Sequence, residues 1–398
     1  MKFRVERDVL SEAVAWTARS LPSRPAAPVL AGLVFEAVEG DGGDGSVTVS
    51  GFDYDVSSRA EITADVTEPG RILIHGKLLA DIAKSLPNRP VEFATEGSKV
   101  LLSCGSSRFT LQTLPVEDYP ALPTMPTATG AVTASGLASA VSQVAIAAGR
   151  DDTIPMLTGI RVEIEGEKIT LVATDRFRLA VRELQWKPEQ EDLSATALIP
   201  SKILSDTAKA LTGGDWVSLA LSSGDTGDGL IGFESGDGAS AGASNGGKGS
   251  RRMTSRLLSG EFVKYRSLFP SEYNITATIE TAPFLEAAKR VSLVADRTSP
   301  IKLTIIQGEC TLEAGAGDEA QASEALDAVL DGDDITVSFN PGFLLDGLQV
   351  IDTQYAQLSF TVASKPAVLM GRPALDTPAQ DEFRYLMMPL RVPGQSAG

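Results

Sequence analysis

The chain has 398 residues, of which 52 are acidic and 35 basic, giving a formal net charge of −17, and 43% are hydrophobic. That length predicts two to four domains, and the composition supplies material for several cores. No run approaches about 18 uninterrupted apolar residues, and Met1-Lys2-Phe3-Arg4 leads straight into an alternating strand rather than a signal sequence, so a cytoplasmic protein without a membrane span is expected.

In chain order, the first strand is read over Lys2 to Glu6, and a helix starts near Val9; Arg24, Pro28, Leu30 and Gly32 follow it. A short apolar strand running into a second helix spans Ile74 to Leu86 and holds Lys77. Arg108 to Leu114 alternates again, and the Pro-rich stretch Pro115 to Gly130 closes this first part. The same phrase then returns, with a helix opening at Leu137, then Arg150, Pro155, Leu157 and Gly159, a strand over Ile169 to Ala173, and a second helix in Ile199 to Leu211 with Lys202. A worn third copy has a helix opening at Phe284, then Arg297, Pro300 and Leu303. It adds a strand over Ile335 to Phe339, a second helix in Phe339 to Ile351, and a strand over Gln357 to Val362.

Arg24 and Arg150 stand 126 residues apart (150 − 24), and Lys77 and Lys202 stand 125 apart (202 − 77). Two independent landmarks at one spacing indicate duplicated domains, because solenoid units are far shorter. The expected fold is α+β, three tandem copies of a sheet with two helices on one face, over residues 1–126, 127–272 and 273–398. The offset from Arg150 to Arg297 is longer, 147 (297 − 150), because a Gly- and Ser-rich segment, 235–250, interrupts the second copy between two strand-like runs; it reads as a hairpin loop. A second boundary falls near Pro270 to Asn274.

Other motifs reduce to bland readings. Gly242 to Gly249 nearly spells a phosphate-binding loop, but Gly249 stands where Ser or Thr must reach a magnesium ion and no helix follows. Gly238-Ala239-Ser240-Ala241-Gly242 matches a nucleophile elbow, yet the single histidine, His75, lies upstream of it. One histidine also leaves serine, cysteine and zinc chemistry short of its usual partner. Cys104 and Cys310 fall in strand-like runs of different copies and read as core thiols, without a disulfide or metal site. Asp41-Gly42-Gly43-Asp44 and Asp331-Gly332-Asp333-Asp334 read as turns, and the sequon Asn274-Ile275-Thr276 carries no meaning without secretion.

Charge is unevenly spread. The helical windows 6–24, 76–89, 136–150, 201–212, 283–297 and 342–352 together carry +3, leaving −20 for the remainder. A face made of all the helices is therefore positive relative to the rest, although exposed helices of mixed charge give the same sum.

From end to end the chain resembles the bacterial DNA polymerase III beta subunits, the sliding clamps. The resemblance is carried by Met1-Lys2-Phe3 with Val5-Glu6-Arg7, by Arg24 to Leu30, and by Ser107 to Leu111 running on to Leu114-Pro115. Val172 to Asp175 with Arg178-Leu179-Ala180, Phe339-Asn340 before a helix, and Met388-Pro389-Leu390-Arg391 complete it. It implies a non-catalytic subunit without a cofactor, two copies of which close head to tail into a ring whose helices surround duplex DNA. Arg24, Lys77, Lys84, Arg150, Lys202, Lys209 and Arg297 are the candidate DNA-facing residues. Arg108, Phe109 and Leu111 would meet Leu293 and Val294 of a second subunit, with Asp318, Glu319 and Glu324 as acidic partners.

The resemblance further implies a groove between the second and third copies that takes short linear motifs of the polymerase catalytic subunit, the clamp loader and repair proteins. Its matching positions are Leu157, Thr174, Arg176, Phe177, Arg178, Leu179, Leu268, Phe343, Pro366, Met388, Pro389, Leu390 and Arg391. Arg176-Phe177 departs from the pattern, since other members carry a small residue and His there, and Pro393 to Gly398 run past the usual end. Two alternatives remain at this level: a triplicated enzyme working with carboxylates, for which no acid and base stand out, and an interaction protein that shares the repeat without closing a ring.

Overall fold

Each helix is short and apolar on one side, and that fixes how it lies on its sheet. The computed structural model describes residues 1–40, 45–212, 214–222, 229–235, 250–295, 299–315 and 320–390. Helix α1 (Arg7–Thr17) buries Leu10, Ala13, Val14 and Trp16, and α2 (Gly76–Ser85) buries Leu79, Ile82 and Ala83. Such spacing of three and four residues is the one-faced pattern of a helix packed on a core. His75 caps α2, its Nδ1 accepting from the Leu78 amide at 3.5 Å. Helices α3 (Ala134–Ala145) and α4 (Ser201–Ala210) follow in the second copy. In the third, α5 (Thr281–Ser292) buries Phe284, Ala287, Ala288 and Val291, and α6 (Pro341–Gln349) buries Leu344, Gly347 and Leu348. The helices thus open two to three residues before the positions read from the pattern at Val9, Leu137 and Phe284.

By compactness the chain forms two units. The first holds Met1–Ala138, Trp186–Leu193 and Asp206–Leu257; the second holds Ser139–Gln185, Ser194–Ser205 and Leu258–Gly398. The first unit is built on a sheet of 13 antiparallel-paired strands, and Phe3, Phe35 and Phe93 stack in its core with neighbouring ring centroids 4.7 and 5.8 Å apart. The second is built on a sheet of 12 strands. The middle copy gives strands to both. In the first unit Arg251–Arg256 pairs with the long strand Val56–Glu68, Ser255 opposite Val56. In the second unit Arg178–Gln185 pairs with Phe383–Met387, Arg178 opposite Met387. Alternation in a sequence shows which face of a strand is buried but not which strand lies beside it, so this sharing was not legible from the repeat.

The runs flanking the Gly- and Ser-rich segment form a hairpin, Ser235 opposite Arg251; residues 236–249, with both decoy motifs, lie outside the described residues, as do 41–44. Cys104 and Cys310 are buried free thiols, and burial raises that of Cys310 to about 12. Gly332 has φ +107°, a left-handed turn conformation that suits glycine. The strand read to Val362 ends at Phe360.

Candidate functional site

The second unit carries a hairpin whose turn is held by its own side chains. Between Lys168–Thr174 and Arg178–Gln185, the Asp175 carboxylate accepts from the Phe177 and Arg178 amides, both at 3.0 Å. Thr174 Oγ1 accepts from the Arg176 amide at 3.1 Å and donates to the Arg178 carbonyl at 2.7 Å. This wrapping holds Arg176 at φ +80°, which is uncommon for a residue other than glycine. Phe177 at the tip is 60% exposed.

Beneath the tip, the Arg178 side chain is 6% exposed and its charge is matched on several sides. Nε donates to Asp175 Oδ2 at 2.9 Å, Nη1 donates to Asp346 Oδ2 of α6 at 2.6 Å, and Nη1 also reaches the Tyr385 hydroxyl at 3.4 Å. The guanidinium carbon lies 4.4 Å from the centroid of the Phe343 ring. Tyr385 donates onward to the Phe343 carbonyl at 3.0 Å; burial pushes its phenol above the usual range, against the pull of Arg178. Asn340 caps α6, accepting from the Gly342 and Phe343 amides.

These groups line a cavity of about 350 Å³ walled by Ala148, Arg150, Asp175, Arg178, Asn340, Gly342, Phe343 and Asp346, a volume suited to a side chain or small group. Next to Arg150 in the chain, Thr153 holds the Asp151 carboxyl below its ordinary value, with a smaller pull from Arg176. On the other side of the hairpin, the Met388 amide donates to the Phe177 carbonyl at 2.9 Å and the Leu390 amide to the Ser338 carbonyl at 2.7 Å. Pro389, with no amide hydrogen, falls between these two bonds. Met388 and Leu390 keep exposed side chains.

Of the expected pocket residues, the structure therefore brings together Thr174, Arg176, Phe177, Arg178, Phe343, Met388, Pro389 and Leu390. Leu179 and Leu157 are buried, Leu179 within a cluster that includes Val172, Leu198, Val368 and Leu386. Leu268 is exposed and Pro366 half-buried. Arg391 lies outside the described residues. Asp175, Asn340, Asp346 and Tyr385 were missed. Asp346 and Tyr385 lie 168 and 207 residues from Arg178, and no local pattern signals such pairing. Arg150, expected only to face DNA, also lines the cavity.

Arg24, Lys77, Lys84, Arg150, Lys202 and Lys209 are all exposed, and Arg297 lies outside the described residues. Of the expected interface residues, Leu293 is 84% exposed, Arg108 is exposed, Phe109 and Val294 are half-buried and Leu111 is buried. Strand Ser107–Leu114 is paired on one side with Lys99–Cys104, but on the other side only Thr113 and Leu114 are paired. Glu324 already receives both arms of Arg290, and Asp318 and Glu319 lie outside the described residues.

Tandem α+β copies whose helices present exposed cations in an acidic chain define the architecture of a DNA clamp. The DNA polymerase III beta subunit N-terminal, central and C-terminal domains match residues 1–123, 131–264 and 266–391 in turn. The chain is 59% identical over 394 residues to the beta sliding clamp of Streptomyces coelicolor, covering 99% of this chain and all of that one, and 46% identical over 391 residues to the beta sliding clamp homolog GriR of Streptomyces muensis, covering 98% and 99%. Among solved structures it resembles the DnaN sliding clamp of Pseudomonas aeruginosa bound to griselimycin, at TM-score 0.85 and 26% identity over 98% of this chain and all of that one. The sliding clamp of Bacillus subtilis gives 0.84 and 26% over 98% and 99%. The chain belongs to the DNA polymerase III beta subunit family. It is a DNA sliding clamp, a non-catalytic processivity factor of replication.

Proposed function

We propose that two copies close head to tail around duplex DNA in the cytoplasm, residues 1–126 of one meeting 273–398 of the other, and that the Phe177 hairpin groove carries the polymerase catalytic subunit, the clamp loader and repair proteins. The observation that carries the DNA reading is the run of exposed cations at matching places in successive copies, Arg24 with Arg150 and Lys77 with Lys202, in a chain of net charge −17. A tether that moves with a polymerase should hold DNA by enclosure. Each neutralised phosphate adds salt-sensitive affinity, so few cations suit sliding, and an acidic remainder disfavours binding elsewhere. The largely unpaired edge of Ser107–Leu114 and the exposed Leu293 supply a surface for the second copy.

The groove reading rests on Phe177, Met388 and Leu390, three exposed apolar side chains, with Phe177 on the hairpin whose Asp175 and Arg178 wall the cavity, as binding a short motif with apolar anchors requires. Retention on DNA tests the whole. Clamps loaded onto closed circles should persist through a salt wash and be lost when the circle is cut, while light scattering gives the mass of two chains; tight, salt-resistant binding to linear duplex would replace enclosure with affinity.

A further inference from the structure

The hairpin beneath Phe177 has a counterpart in the first copy, and the difference between the two isolates what Arg178 is for. At Phe52 to Val56, Asp53 Oδ1 accepts from the Asp55 and Val56 amides at 3.0 and 2.7 Å, and Tyr54 has φ +74°. At Thr174 to Arg178, Asp175 accepts from the Phe177 and Arg178 amides and Arg176 has φ +80°. Among the described residues these are the two non-glycine positions of positive φ, and they stand 122 residues apart (176 − 54). The turns are built alike, but the first ends in a buried Val56 where the second ends in Arg178. A guanidinium is therefore not needed to make this turn. A buried charge costs desolvation wherever it sits, and a pair of apolar residues of similar size commonly folds as well.

At the second hairpin the charge joins three elements through side chains: the turn through Asp175, α6 through Asp346 and the Phe343 ring that walls the cavity, and strand Phe383–Met387 through Tyr385. Tyr385 also holds the Phe343 carbonyl. Its ring lies against α6 because Gly347 has no side chain; a Cβ there would come within 2.5 Å of Tyr385 Cε1. Both the backbone and the ring of Phe343 are thus fixed from the same cation.

We propose that Asp346 and Tyr385, acting through Arg178, are positioning residues that hold Phe343 and the Phe177 hairpin in the arrangement that receives an apolar-anchored peptide. This rests on the groove reading above. A groove whose wall is fixed before binding spends less of the peptide's interaction on ordering the site.

The test uses the full chain and a fluorescent peptide from the polymerase catalytic subunit chosen because it binds the wild type. Arg178→Val with Asp346→Leu copies the first hairpin and leaves no lone carboxylate at α6. It should keep the thermal midpoint within a few degrees and the same mass in solution, yet bind the peptide at least tenfold more weakly. Asp346→Asn alone, with Arg178 in place and an acceptor kept for Nη1, should bind nearly as well as the wild type. With 4-fluorophenylalanine at position 343, the single narrow fluorine resonance of the wild type should broaden or split in the double variant. If the double variant fails to fold, Tyr385→Phe takes its place, with at least threefold weaker binding expected at an unchanged midpoint. Met388→Ala with Leu390→Ala is the control on the groove itself. Near-normal peptide affinity in the Arg178 and Asp346 variant, with loss in the Met388 and Leu390 control, would overturn the positioning role and leave the groove standing; normal affinity in the control would remove both.

Discussion

Tyr119 shows how a single side chain registers its surroundings. Burial, opposed by the Phe52 amide and by Arg71 and assisted by Asp53, raises its phenol to about 12. No described group meets its hydroxyl at hydrogen-bonding geometry. Below pH 10 the folded and unfolded chains both hold this proton, and its contribution is constant. Between about 10 and 12 the unfolded chain releases the proton first, so stability falls as pH rises, by up to about 2 to 3 kcal/mol. Tyr265, Tyr273 and Tyr385 are shifted the same way and add to the fall. Tyr119→Phe is expected to change stability at pH 7 by less than about 1 kcal/mol and to flatten the loss above pH 10, which urea melts across that range will show. A curve of unchanged steepness would mean that the phenol ionises as freely in the fold as outside it.

At the scale of elements, the segment after strand Phe383–Met387 is the most exposed to test. Its two amide hydrogen bonds fasten Met388 to Phe177 and Leu390 to Ser338, and losing well-packed anchors commonly costs about 2 kcal/mol or more, roughly thirtyfold in affinity. Deleting 388–398 should abolish peptide binding and leave the subunit mass in solution unchanged, whereas deleting 394–398 should alter little; fluorescence titration separates them. Phe109→Ala with Leu293→Ala removes two apolar side chains worth roughly 1.5 to 3 kcal/mol each if buried between copies. Light scattering should then report single chains at micromolar concentration. Much of this was legible in the sequence: the helix phases and the apolar alternation of the strands follow from local periods, and the spacing of Arg24 and Arg150 from the repeat. The Arg178 centre was not, because its partners belong to α6 and to the strand Phe383–Met387. Leu157 and Leu179 were named from the family resemblance alone, and both are buried, which an apolar residue at a strand or turn does not disclose in sequence.

For the whole molecule, charge and enclosure make opposite demands. The net −17 opposes approach to DNA, while the exposed cations on and beside the helices favour it locally. Arg24→Ala with Arg150→Ala should therefore slow loading onto circles and reduce its dependence on salt, with no change in subunit mass, as a stopped-flow loading assay at two salt concentrations can measure. Because Arg150 also lines the cavity, the same double variant should bind the polymerase peptide somewhat less well, and Arg24→Ala alone should not.

The sharing of the middle copy between two sheets has a consequence for how the chain is made. Val56–Glu68 emerges from the ribosome almost two hundred residues before Arg251–Arg256 arrives to cover its edge, and Arg178–Gln185 waits about as long for Phe383–Met387. Until then each nascent sheet presents an open strand edge, the state most prone to pair with another chain. A ribosome stalled between the first and second of these arrivals would hold one completed sheet and one that still lacks its partner strand. Proteolysis of such stalled chains should cut freely within 139–185 while sparing 1–114, the outcome expected if maturation of this clamp proceeds by sheets rather than by the repeats written in its sequence.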